Sequence, residues 1–177
     1  MKSAVLKISL AAALTAAASA GASGAPRELW SLDGFMNPES VYADGGSYYV
    51  SNVNGGPLDK DGNGFISKVS GDGKMTTLKW IEGMNAPKGM VMNGGKLYVS
   101  DIDDLIEIDA AAGKITATYP AEGAVFLNDT AVDEAGNVYV SDIASARSGS
   151  RRTAGWLSGM RRTISCTRTG CASKAAS

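Results

Sequence analysis

The chain has 177 residues, carries 17 Lys and Arg against 18 Asp and Glu, and contains no histidine, which excludes a Ser/His/Asp triad, a His zinc ligand and an imidazole general base. Every acidic residue lies at or before Asp142 and seven basic ones follow it, so Gly21–Asp142 sums to −10 and the tail to +7. An acidic body argues against nucleic acid as a partner, because phosphate binding relies on clustered Lys and Arg.

Met1–Ala20 places Lys2 and Lys7 around its first residues, then the apolar run ISLAAALTAAA, then Ala18-Ser19-Ala20, a small-x-small cleavage site. This is the pattern of a signal peptide over 1–20. The run is shorter than the roughly 20 residues needed to span a bilayer, and no cysteine follows it for a lipid anchor. The expected product is exported, periplasmic or secreted, with no stable membrane anchor, and 21–34 forms an N-terminal segment before the first repeat.

Three segments align on a Tyr-Val-Ser triplet: PESVYADGGSYYVSN from Pro38, PKGMVMNGGKLYVSD from Pro87, and LNDTAVDEAGNVYVSD from Leu127. Tyr49, Tyr98 and Tyr139 are then equivalent, 49 and 41 residues apart, a period that points to propeller blades. Strands are predicted around Val41 and at SYYVSN, GFISKVS and TTLKWI, then at GMVM, KLYVSD, LIEID and KITATY, four to a period. Asp44-Gly45-Gly46, Gly71-Asp72-Gly73, Asn93-Gly94-Gly95 and Glu134-Ala135-Gly136 supply the tight turns between them.

Between the second and third of these strands lies DKDGNGFI, Asp59–Ile66, which begins like an EF-hand loop. Its twelfth position is Ser70 instead of a bidentate Glu, and strand-like sequence flanks it where helices belong. The expectation is a long solvated hairpin loop within the first blade.

The alignment makes Glu39, Lys88 and Asn128 equivalent, each just before an innermost strand, where propeller loops ring the mouth of the central channel. A carboxylate and an amide oxygen converging there are hard ligands suited to Ca²⁺ or Mg²⁺. The plainer alternative is that both only cap turns.

On NPESV, YVSN, NAPKGM, LYVSDID and FLNDTAVD…GNVYVSD, over about Phe35–Asp142, the chain resembles the family of senescence marker protein 30, gluconolactonase and luciferin-regenerating enzyme. The resemblance implies a six-bladed propeller holding one divalent metal, most often Ca²⁺, and hydrolysing a small-molecule lactone or ester. It assigns Glu39 to the metal and Asn128 to the metal or the substrate; Asp129 beside it, and Lys88 with its charge at the equivalent position, are the further residues expected to bind substrate. It also implies an Asn from an Asn-Gly-Leu motif and a later Asp, neither of which occurs here, and it has an Arg where this chain has Phe126. In the implied reaction the metal polarises the carbonyl and acidifies a bound water.

From Ala144 the alternation stops and acidic residues vanish, leaving 144–177 as a basic tail expected to be disordered. Under chosen synonymous codons, another reading frame restores strand alternation and an Asn-Gly-Leu motif, so the tail reads as a frameshift product. Cys166 and Cys171 then carry no meaning; otherwise an oxidising compartment allows them to pair.

The combined expectation is an all-β, partial β-propeller over 35–143, comprising blades Ser40–Ile81 and Gly89–Tyr119 and the two inner strands of a third. It reads as a fragment of an exported metal-dependent lactone or ester hydrolase, inactive by itself. A non-catalytic propeller that grips a ligand or protein partner is the alternative.

Overall fold

The computed structural model describes residues 26–143 and the backbone of two further strands, Arg162–Thr167 and Gly170–Ala175. The signal-peptide reading of 1–20 lies outside the described residues, as does most of the tail. Among the described residues there are only strands, arranged as three antiparallel four-stranded sheets.

The first sheet is β1 (Pro38–Asp44), β2 (Ser47–Asn52), β3 (Gly64–Ser70) and β4 (Met75–Met84), paired in chain order. The second repeats it with β5 (Pro87–Asn93), β6 (Lys96–Asp101), β7 (Asp104–Asp109) and β8 (Lys114–Pro120). The third has β9 (Leu127–Val132) and β10 (Val138–Asp142), followed by β11 (Arg162–Thr167) and β12 (Gly170–Ala175). All eight strands predicted for the first two periods are present. The sheets begin at Pro38 and Pro87, before the predicted Ser40 and Gly89, because the inner strands start pairing there with Asn52 and Asp101.

The third sheet departs from the expectation of a two-stranded blade with a disordered tail. β11 pairs with β10, and β12 closes a hairpin on β11 with Cys166 opposite Cys171. The outer edge of β10 would otherwise leave a row of unpaired N–H and C=O groups. The sequence reading weighed only the tail's small apolar burial and left out this edge pairing.

Adjacent sheets bury two apolar cores. Tyr49, Ile66, Ile81 and Met84 of the first sheet meet Met90, Leu97, Val99 and Ile106 of the second. Val91 and Leu105 of the second, with Ala121 just after it, meet Leu127, Val138 and Val140 of the third. Having a neighbouring sheet decides exposure: Met90 is 6% exposed, whereas its equivalent Val41, on the outer side of the first sheet, is 63% exposed. That outer side is partly covered by the N-terminal segment, where Trp30 packs edge-on against Tyr48 with ring centroids 5.3 Å apart.

The inner strands β1, β5 and β9 lie side by side in that order. β5 approaches β9 so closely at Gly89 that a Cβ there would stand 2.5 Å from the Asn128 carbonyl oxygen, a contact only glycine avoids.

Candidate functional site

The three inner strands share one irregularity. In β1 two steps, Pro38 to Ser40, oppose one step in β2; in β5 and β9 three steps oppose two. Each inner strand therefore carries one extra residue at its start, and the extra residue falls at Glu39, at Lys88-Gly89 and at Asn128-Asp129. A bulge of this kind bends a strand and re-aims a side chain. The equivalence read from the triplets is thus a shared backbone device at one end of three neighbouring strands.

The last two residues of each Tyr-Val-Ser-Asn/Asp run hold that device in place. Ser51 Oγ accepts the Ser40 N–H at 3.0 Å, Ser141 Oγ accepts the Asp129 N–H at 3.0 Å, and the Ser100 hydroxyl sits against the carbonyls of Gly89 and Asn128. One residue further on, Asn52 Oδ1 accepts the Met36 N–H at 2.9 Å, Asp101 accepts those of Asn85 and Ala86 at 2.8 and 2.6 Å, and Asp142 accepts those of Val125 and Phe126 at 3.2 and 3.1 Å. Each clamp fixes the loop entering an inner strand. Sequence reasoning used the triplets only as an alignment anchor and missed these roles; the polar residue that follows each Ser was the available signal.

The long loop between β2 and β3, Val53–Asn63, folds over the same end. Asp61 accepts from both the backbone and the side-chain nitrogen of Asn63, and Asp59 accepts from Gly56 N–H. The EF-hand-like residues therefore bind their own loop, and strands flank it as expected. Lys60 pairs with Asp103 in the β6–β7 turn at 2.6 Å, and Gly62 N–H donates to Asn85 Oδ1 at 3.2 Å. In that turn Ile102 takes a left-handed backbone, φ 55°, costly for a β-branched residue, and its carbonyl accepts the Leu127 N–H at 2.7 Å.

Glu39, Lys88 and Asp129 lie within electrostatic reach of one another. Burial, and then the Asp129 charge, push the Glu39 carboxyl above the ordinary glutamate value, with Lys88 pulling it back. Asn128, half-buried, carries the amide beside Asp129. Lys88, expected to face substrate, is instead 2% exposed, and its ammonium is turned inward onto the carbonyls of Pro57 and Ala86. A lysine with a four-carbon stem at a bulge can reach back under the mouth, which spacing alone does not reveal.

The donors Glu39, Asn128 and Asp129 are hard oxygens of the kind a hard cation takes. Their number is short of the six to eight oxygens that Ca²⁺ takes, and no cluster of three or more His, Cys, Asp or Glu able to hold a metal forms among the described residues.

The raised Glu39 carboxyl has a testable sign. The folded chain holds that proton more tightly than the unfolded one, so its contribution to stability is complete below the ordinary value of 4.5 and disappears as pH rises through the raised value. Urea midpoints of the wild type should fall over that window, and Glu39→Gln should flatten the fall. Parallel pH profiles for the two proteins would contradict it.

Repeated four-stranded sheets with inner strands side by side define a propeller-type β protein. Among solved structures, a luciferin-regenerating enzyme has this fold, with a TM-score of 0.52 at 15% identity over 78% of this chain and 46% of that one. The likeness is one of fold, and the chain spans about half the length of that structure. No protein-family profile and no curated protein matches the sequence.

Proposed function

We propose that the chain is part of an exported, metal-dependent lactone or ester hydrolase built on a propeller. The carrying observation is the triple bulge, which brings Glu39 and the Asn128-Asp129 pair to one end of adjacent inner strands. Support comes also from the fold shared with a luciferin-regenerating enzyme and from the charge coupling of Glu39 with Asp129.

In this reading Glu39 and Asn128 hold a divalent cation, Ca²⁺ by the hardness of the donors, which when bound supplies Lewis acidity toward a carbonyl oxygen. Asn128 and Asp129 orient the substrate, with the Asn128 amide offering both a donor and an acceptor. The clamps at Asn52, Asp101 and Asp142 keep the entry loops from drifting. Because the donor set is short, the chain alone binds the cation weakly and does not turn substrate over.

The test is calorimetric titration of Ca²⁺ into the purified chain, with a panel of lactones and esters assayed in Ca²⁺ or EDTA. Weak binding lost in Glu39→Gln, with no turnover, is expected. Absence of any Ca²⁺ binding would remove the metal reading, and turnover abolished by Glu39→Ala would overturn the inactivity. The short donor set also suits a non-catalytic binding propeller. Lactonase activity in a chain that supplies the missing blades would decide against it.

A further inference from the structure

We infer that Lys88 is a positioning residue that pins the mouth loops of three consecutive blades and so sets the place of the Val53–Asn63 loop. Its ammonium donates to the Pro57 carbonyl at 3.0 Å and to the Ala86 carbonyl at 2.8 Å, and lies 4.7 Å from the centre of the Phe126 ring. Pro57 belongs to the long loop of the first blade, Ala86 to the entry of the second, and Phe126 to the entry of the third.

An ammonium has three donors and a compact charge. Here two protons meet carbonyl oxygens, and the charge faces an aromatic ring, a favourable arrangement when water is excluded. Lys88 is among the largest fully buried side chains, so losing it leaves a carbonyl of each of two loops without its charged donor. Of the loop's other ties, the backbone bonds from Val53 and Asn54 N–H to the Asn37 and Met36 carbonyls, both 3.1 Å, hold only its first residues, and those farther along are weaker anchors. Lys60 and Asp103 are 56% and 34% exposed, where salt screens an ion pair, and the Gly62–Asn85 bond is exposed at 3.2 Å. Beneath the loop, Val53, Ala86 and Ile102 form a small apolar cluster that a loosened loop would open to water. This inference goes beyond the hydrolase reading and holds for a binding propeller as well.

The experiment uses the purified full chain. In ¹⁵N-lysine-labelled wild type, one ammonium signal should persist at neutral pH through slow exchange, disappear in Lys88→Arg, and show cross-relaxation to the Phe126 ring. Hydrogen exchange should then be compared in wild type, Lys88→Met and Lys88→Arg. Lys88→Met should speed exchange in 53–63 by about tenfold or more, with Lys96–Asp109 unchanged, and Lys88→Arg should restore part of the protection. Unchanged exchange in 53–63, or equal acceleration throughout the chain, would overturn the inference. If Lys88→Met does not fold, the wild-type ammonium signal decides: its presence with the Phe126 contact supports the pin, and its absence overturns it.

Discussion

Asp101→Ala should destabilise the chain by about 3 kcal/mol, because it removes a buried carboxylate from a site that depends on both its oxygens. Asp101 is 1% exposed. Its oxygens accept the N–H groups of Asn85 and Ala86, and it is the foremost charge holding Lys88 protonated against the burial that pushes that ammonium down. The alanine variant leaves one buried donor, Ala86 N–H, and one half-buried donor, Asn85 N–H, unsatisfied, with about 1–3 kcal/mol for the buried one, and strips the ammonium of its foremost counter-charge. Burial also pushes Asp101 itself above the ordinary aspartate range, and the two N–H donors and Lys88 pull it back, so the gross loss is partly offset. Asp101→Asn should cost less, since the first sheet uses an Asn at the same place with Oδ1 on Met36 N–H. Urea unfolding of the three proteins measures this, and an alanine variant within about 0.5 kcal/mol of wild type would contradict it.

The repeat was legible because it is written in alternation and turns. Tyr-Val-Ser marks the second strand of each sheet, and paired glycines such as Gly45-Gly46 and Gly94-Gly95 take the positive φ that a two-residue hairpin requires. From those anchors the equivalence of Glu39, Lys88 and Asn128 followed, and the structure brings their bulges to one end of adjacent strands.

What lay beyond reach was the direction of side chains. Period-2 reasoning assigns alternate faces, but an extra residue at a bulge breaks the alternation where the site lies, so Lys88 could be counted toward the mouth while its ammonium turns inward. The outer half of the third sheet was missed for another reason. Ladder pairing to an open edge is a property of the partner strand, and the composition of Arg162–Thr167 carries little sign of it.

Leu127→Ala is expected to cost about 3 kcal/mol and to disturb the candidate site from behind. Leu127 is fully buried among Val91, Leu105, Ala121, Val138 and Val140, and its N–H is held by the strained Ile102 turn of the neighbouring sheet. It immediately precedes the bulge, so the core contact of Leu127 fixes where Asn128 and Asp129 emerge. Truncation leaves a cavity that the surrounding strands fill only in part. Gly89 already lies against the backbone of Asn128 and Asp129, so any relaxation of β9 into the cavity must shift the pair. Ile115→Ala, at a side chain 38% exposed on β8, should cost under about 1.5 kcal/mol and leave the pair in place. Chemical-shift changes at Asn128 and Asp129 in Leu127→Ala, absent in Ile115→Ala, would show that the second interblade core positions the donors; equal shifts in both variants would mean that the bulge and the Ser141 contact suffice without it.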